Sequence, residues 1–341
     1  MITNLFHDWE RRLAAITTDR VVRPFEWGVD WIGAPQPPPP ATTAAATEAD
    51  ALRAWADEAI RDSTRFYHVD PAPAYAFDGH HLQFDSAVTT PHPENNIVHA
   101  RFFRARDDGQ RRAVVVLPQW NADAQGHVGL CDVFARFGVS SVRLSLPYHD
   151  RRMPPELTRA DYIVSANVGR TAQVCRQAVL DARRAVQWLR EQGYERIGIM
   201  GTSLGSCLAM LTAAHEPLVR AAAFNHVSPW FADVVWEGLS TEHVRQGFDG
   251  QITLDLLRDL WLPISPFPFM DRVRGKKLLV VYAKYDLSFP LALSTRFSAE
   301  FTRHGIPHET FVLPCGHYSL GKPPFNWIDA FALTRFFRRN L

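Results

Sequence analysis

The chain is poor in the features that announce a cofactor, a metal or a membrane. It has only four cysteines in 341 residues, Cys131, Cys175, Cys207 and Cys315. Their spacing fits neither a disulfide framework nor a zinc site, and they fall among apolar or loop residues, which reads as reduced thiols in a cytoplasmic protein. Net charge is almost absent: 37 Lys and Arg offset 36 Asp and Glu, leaving +1 with histidines neutral. No field of one sign is there to draw nucleic acid or an anionic membrane surface. No apolar run approaches the ~20 residues that a membrane span needs, and the stretch Met1 to Glu10 lacks the apolar centre of a secretory signal. A P-loop, a G-x-G-x-x-G after a strand and a His/Cys/carboxylate cluster at ligand spacing are all missing, so the expectation is no cofactor and no metal. There is no internal repeat. With 46% hydrophobic and 21% charged residues, the chain has the composition of a soluble globular protein, long enough for one large α/β domain with additions or for two domains.

One stretch organises the rest. Ile197 to Met200 is apolar and strand-like, and Leu204, Cys207, Leu208 and Leu211 follow at helical spacing. Between them lies Gly201-Thr202-Ser203-Leu204-Gly205, a G-x-S-x-G turn that lifts a serine out of the sheet surface on a strained strand-to-helix corner. Bulky residues two positions either side of the serine would collide across such a corner, and glycine removes the Cβ. The N–H of Leu204 falls at the helix start, where unpaired donors and the helix dipole favour an oxyanion.

Residues 1–78 differ in character from the remainder. Phe6, Trp9, Leu13 and Ile16 recur at helical spacing, with Thr3 or Asn4 as N-cap. Phe25, Trp27 and Trp31 follow in an irregular segment, then the run Pro35 to Pro40, which reads as extended polyproline. Thr47 caps a second helix with Leu52, Trp55, Ala56, Ala59 and Ile60 on one face. This N-terminal helical arm reads as a clasp on the outside of the main domain; the sharper alternative takes Trp27 or Trp31 into a substrate cleft or a second subunit. From residue 79 to 341 strands and helices alternate, which implies a mostly parallel sheet with helices on both faces. The alternation is interrupted at 227–276, about 50 residues where a simple crossover needs far fewer. Trp230, Phe231 and Trp236 stand in this piece, which reads as a lid or pocket wall.

A serine hydroxyl needs a base beside it and an acid to orient that base. Catalytic groups in an open α/β sheet gather at the carboxyl ends of the strands. Asp286 comes just after the apolar strand Leu278 to Tyr282, and His317 just after Phe311 to Leu313. The order Ser203, Asp286, His317 is nucleophile, acid, base. The chain has 14 histidines; His226 and His149 also follow strands and compete for the base, and Asp233 is the alternative acid.

On these motifs the stretch from about 80 to 341 resembles the α/β-hydrolase superfamily, with Gly316-His317-Tyr318 and Asp286 to Pro290 similar to its esterase and dienelactone-hydrolase branches. The resemblance implies a triad of Ser203, His317 and Asp286, and an oxyanion hole of two N–H groups. Leu204 supplies one. The other comes from Pro118-Gln119-Trp120-Asn121, where relatives commonly carry His-Gly before the donor residue. Trp120 aligns better with that donor than Gln119. Arg151 and Arg152, after the strand at Val142, are candidates to hold a substrate carboxylate or phosphate, the plainer reading being an ion pair with Asp150 or a nearby acid. Trp230 and Trp236 are candidate substrate contacts. The resemblance implies a serine hydrolase that cleaves a carboxylic ester through an acyl-enzyme. The alternatives are a peptidase, thioesterase or acyltransferase with the same triad, or a hydrolase fold serving as a non-catalytic binding module, against which a complete triad argues. The expected partner is a small-molecule substrate, with no nucleic acid and with a homo-oligomer left open.

Overall fold

Strand β4 (Arg112–Leu117) shows how the layers arise. Its alternate residues face opposite sides: Ala113, Val115 and Leu117 enter one apolar core, Val114 and Val116 the other. A strand buried on both faces has no polar side, hence its unbroken apolar run. The first core is closed by helices Val168–Glu191 and Leu204–His215, the second by helices Val128–Arg136 and Phe325–Asn340.

The computed structural model describes residues 2–33 and 47–341; the proline run expected to be extended lies outside them. The sheet comprises β1 (Tyr75–Phe77), β2 (His81–Asp85), β3 (Ile97–Phe103), β4, β5 (Ser140–Leu144), β6 (Arg196–Thr202), β7 (Val219–Asn225), β8 (Lys277–Ala283) and β9 (Glu309–Leu313). Their order is β1-β2-β3-β5-β4-β6-β7-β8-β9. The first three strands and the β3–β5 pair are antiparallel, whereas β5, β4 and β6 to β9 run parallel. The carboxyl ends of six strands therefore lie along one edge. The chain leaves β4 toward β5 on one side and returns to β6 on the other, so a crevice opens at that edge beside β4.

Helix Ile2–Ala14 already contains Thr3 and Asn4, so neither is the expected cap. Thr47 does cap helix Glu48–Arg61: its hydroxyl accepts from Asp50 N at 3.2 Å, and Asp50 Oδ2 accepts from Thr47 N at 3.0 Å. The segment between these helices supplies the start of helix Val168–Glu191. Val168 N donates to Glu26 O at 3.0 Å and Gly169 N to Trp27 O at 2.8 Å, satisfying N–H groups that a helix leaves unpaired at its first turn. Trp27 packs edge-on to Phe25, and Trp31 stacks on His92.

The loop after β5 uses Arg152 structurally, as the plainer reading has it. Arg152 is completely buried, and it does not line the cleft described below. It donates to Asp181 Oδ2 at 2.9 Å, to Ser145 O and to Asn95 O. Its ion-pair partner is not Asp150 but a nearby acid, Asp181, in helix Val168–Glu191. Asp150 pairs instead with Arg143, at 2.7 Å. Arg151 lines a separate groove with His99, Arg143 and Asp150, away from the cleft described below.

A buried charge that loses its partner has no water to turn to. Arg152→Ala leaves the Asp181 carboxylate in that position, and the expected loss is about 3–5 kcal/mol of unfolding free energy in urea titration; a change near zero would show that the pair is not needed to hold the loop.

Candidate active site

Ser203 has φ 57° and ψ −122°, a backbone conformation that side chains with a Cβ rarely adopt. The corner is enforced by close backbone approach. A Cβ on Gly201 would lie 1.8 Å from Gly205 O, and a Cβ on Gly205 would lie 2.2 Å from Leu117 O. Ser203 N donates to Asn225 O at 2.8 Å, which ties the corner to the end of β7.

Asp286 and His317 meet here from the ends of β8 and β9. His317 Nδ1 lies 3.0 Å from Asp286 Oδ2. Asp286 Oδ1 accepts two backbone N–H bonds, from Ser288 and Phe289, both at 2.7 Å, so the carboxylate cannot rotate away. The ring of Phe289 stacks on the imidazole of His317, with centroids 5.5 Å apart and planes within 7°. His226, which competes for the base in sequence, sits on the same carboxylate oxygen: its Nδ1 is 2.8 Å from Asp286 Oδ2. It is wholly buried, whereas the side chain of His317 keeps 12% of its exposure.

The electrostatics separate the two histidines. Burial pushes the pKa of His317 down, but the Asp286 charge and hydrogen bond, helped by the charge of Glu10, outweigh it, and the net shift is upward. For His226 burial wins and the pKa falls, with the neighbouring His317 adding to the fall. Burial raises the Asp286 pKa, but the charge of His317 and contacts from both imidazoles reverse that and hold the carboxyl well below the usual carboxylate range. Asp286, His226 and His317 are also the one group among the described residues whose donor atoms lie close enough for a metal ion. Nδ1 of each imidazole lies within 3.0 Å of Asp286 Oδ2, so a cation there would have to displace those contacts.

The loop after β4 is pressed against the elbow helix by the same contact that requires Gly205. Among the described residues the N–H groups of Gln119 and Trp120 have no acceptor, whereas Asn121 N donates to His149 Nε2 at 2.9 Å. Both expected donors thus remain available. His149 Nδ1 lies 2.9 Å from Pro147 O, so its proton belongs on Nδ1 and Nε2 is the acceptor. Burial, first of all, lowers its pKa to about 4. His149 braces the loop and is not a base at the serine. The indole of Trp120 is fixed by donation to Ala160 O at 2.9 Å and by stacking on His243.

Ser203, Thr202, Gln119, Trp120, His226 and His317 line one cleft of about 680 Å³. Among the described residues no hydrogen bond joins Ser203 Oγ to the His317 ring; such contacts are often long before substrate binds. Arg20 and Thr17 of the arm reach this cleft, but Trp27 and Trp31 do not line it. A small apolar pocket of about 40 Å³ adjoins Ser203, walled by Trp120, Leu204, Trp230, Phe231, Val234 and Phe289. Trp230 thus walls the pocket beside Ser203. Trp236 is outside both linings, covered by the Arg245 guanidinium 5.4 Å above its ring. Asp233, the alternative acid, is engaged by Arg258 at 2.6 Å.

Sequence reasoning missed Phe289, although it stands in the quoted stretch Asp286 to Pro290, and His127, which contacts Thr202 Oγ1 at 2.8 Å. It also missed Glu10. Its carboxylate accepts from Tyr318 N and Ser319 N at 2.8 and 2.9 Å, and no periodicity or motif connects it to residues so distant in sequence.

No protein-family model and no curated protein matches this sequence. Solved structures do. The acetyl xylan esterase from Paenibacillus sp. R4 superposes with a TM-score of 0.62 at 15% identity, over 94% of this chain and 100% of that one. Acetyl xylan esterase 1 from Thermoanaerobacterium sp. JW/SL YS485 gives 0.58 at 17% identity, over 85% and 93%. The acylaminoacyl peptidase of Pyrococcus horikoshii gives 0.61 at 15% identity, over 82% of this chain but 43% of that enzyme, so the chain spans under half of its length. At such identities the likeness is one of fold: the chain has the α/β-hydrolase fold.

The backbone clash at the elbow has a direct consequence. Gly205→Ala places a methyl group against the Leu117 and Pro118 carbonyls. The expected result is a loss of more than about 4 kcal/mol in chemical denaturation or no soluble protein; a well-folded variant with unchanged stability would contradict the elbow packing.

Proposed function

We propose that this chain is a serine hydrolase that cleaves carboxylic esters, with Ser203 as nucleophile, His317 as base and Asp286 as acid. The observation that carries the reading is the 3.0 Å contact of His317 with a fixed, buried Asp286 carboxylate, on the wall of the cleft that Ser203 also lines. His317 Nε2 takes the Ser203 proton as Oγ attacks the ester carbon. Leu204 N–H, with Trp120 or Gln119 N–H, faces the developing oxyanion. Asp286 keeps the His317 proton on Nδ1 and stabilises the imidazolium. His317 then protonates the leaving alkoxide, and a water activated by the same imidazole releases the acid from the acyl-enzyme.

The mechanism assigns the two cavities. The leaving group must depart beside the imidazole that protonates it, so it occupies the larger, more polar cleft containing His317. The acyl chain then takes the small apolar pocket, in which Trp230 and Phe231 of the 227–276 segment form the wall. This favours short acyl groups on a larger alcohol. In this reading residues 79–341 form the hydrolase domain, 227–276 is its cap, and 1–78 is an arm. Four buried, unpaired cysteines support a cytoplasmic place; among the described residues no helix is long and apolar enough to cross a membrane. Amide cleavage is the second reading, favoured by the structural likeness to an acylaminoacyl peptidase.

A fluorophosphonate probe is expected to label the purified protein at Ser203 and to leave Ser203→Ala unlabelled, with ester turnover reduced by at least about 10³-fold in Ser203→Ala and His317→Ala. Labelling that survives Ser203→Ala would overturn the assignment. Among p-nitrophenyl esters, acetate and propionate should exceed octanoate in kcat/KM, and the matching amide should be slower; the reverse order would favour the peptidase reading.

The pH dependence follows from the base. His317 must be neutral to accept a proton, so kcat/KM falls as pH drops through its pKa, which lies above the ordinary 6.5. Asp286→Asn removes the charge that raises it. The acid limb should move to lower pH while kcat falls by about 10³–10⁴; an unmoved limb would show that another group sets it.

A further inference from the structure

Helix Ile2–Ala14 lies mostly in solvent, yet Glu10 in its centre is fully buried. Its carboxylate has no cationic partner among the described residues. Instead its two oxygens take the N–H groups of Tyr318 and Ser319, the two residues that follow His317. Gly316, on the other side of His317, makes room for it: a Cβ there would lie 2.2 Å from Glu10 Cδ. One turn earlier on the same helix, Phe6 stacks on Tyr285, with ring centroids 4.4 Å apart and planes within 10°; Tyr285 precedes Asp286. Arg20 of the arm donates to Tyr318 Oη at 2.9 Å. The arm thus grips the loops of both the base and the acid.

The two hydrogen bonds by themselves make a structural staple, since a carboxylate accepts both N–H groups where a neutral amide accepts only one. Burying the charge without a counter-ion is costly unless those bonds compensate. A negative charge beside the loop of the base also favours that base when it becomes positive.

We propose that Glu10 is a positioning residue for His317: its carboxylate holds the loop that carries the imidazole and places a second negative charge behind the imidazolium formed when Ser203 is deprotonated. The role of that charge rests on the hydrolase reading above. Glu10 is among the groups that raise the proton affinity of His317. The other groups around the imidazole are Asp286, His226 and Tyr318, with Arg20 on Tyr318; Arg159, His127 and Asp329 line the same cleft. Asp329 has its pKa lifted by burial to about 7, on the same side of 6.5 as His317, so its own titration must be removed as a variable.

The test uses Glu10→Gln and Glu10→Ala in the full chain, each also in an Asp329→Asn background. The His317 ring is followed by ¹⁵N-histidine NMR, and kcat, KM and the pH profile are measured on a short-chain ester. In Glu10→Gln we expect native circular dichroism, a His317 titration midpoint moved to lower pH, an acid limb of kcat/KM moved the same way, kcat down about tenfold and KM within about twofold. Glu10→Ala should lose more kcat with the same shift of the limb. A folded Glu10→Gln with the His317 midpoint and kcat of the unsubstituted chain would overturn the proposal, as would a kcat loss in both variants that merely follows their loss of thermal stability. Should Glu10→Ala not fold, Glu10→Gln still decides. The NMR arm does not depend on turnover: a chain inert to every ester and to the fluorophosphonate, in which the His317 midpoint still depends on Glu10, would sink the ester reading and support the link between Glu10 and His317.

Discussion

Ser203 sits on a corner that the backbone can make only because Gly201 and Gly205 have no side chain. The two glycines touch each other across the turn, and Gly205 also touches the carbonyls at the end of β4. This one contact fixes two things. It turns Ser203 outward at a positive φ, and it draws the Gln119–Trp120 loop against the start of the helix, beside the N–H of Leu204. A nucleophile and the donors facing its oxyanion have to be set relative to each other to within fractions of an ångström. On the proposed mechanism both positions come from the same backbone-to-backbone approach in the middle of the sheet, where β6 is held by β4 on one side and β7 on the other.

The charged part of the site is built on a second constraint, backbone N–H groups gripping carboxylates. Asp286 is held by the N–H groups of Ser288 and Phe289, and Glu10 holds those of Tyr318 and Ser319. His317 lies between these two anchored points. The same Asp286 oxygen also meets His226, yet the two imidazoles are driven apart in proton affinity. One carboxylate in a buried site supports one extra proton. His317 has the help of Glu10 and a partly open face toward the cleft, so a proton added to the pair is favoured there, while burial disfavours a charge on His226. On the proposed mechanism two histidines on one aspartate are thus not two equal bases.

The residues legible in the sequence are those whose role follows from local order. The elbow, Asp286 and His317 each sit just past an apolar strand, and in a parallel sheet that position alone brings them to one edge. Thr47 is legible for the same reason, since a capping box is complete within four residues. β1 is three residues long and carries too little pattern to read. Arg152 ends in the core because the chain after β5 does not continue outward. Tyr148 and Asp150 both have positive φ, which turns the loop back and delivers the guanidinium to Asp181 in the core. The backbone reversal has no sequence mark comparable to a glycine. Glu10 is invisible to any local reading, because its partners are |i−j| = 308 and 309 away, and only the folded chain brings them together.

The same long-range contacts bear on what the added segments do. The arm supplies Glu26 and Trp27 carbonyls to the first turn of helix Val168–Glu191, and from the 227–276 segment Trp261 donates to Val168 O at 3.0 Å. Both additions therefore dock on the start of one helix, and neither is a loose appendage. They then part company at the cleft. Thr17 and Arg20 of the arm, with Trp327 of the last helix, line the side of His317, whereas Trp230, Phe231 and Val234 line the apolar side of Ser203. On the proposed mechanism the first wall meets the leaving alcohol and the second meets the acyl chain. The two halves of substrate choice are thus carried by segments far apart in sequence, and the second also packs on the elbow helix, where Cys207 Sγ donates to Ile264 O at 3.3 Å.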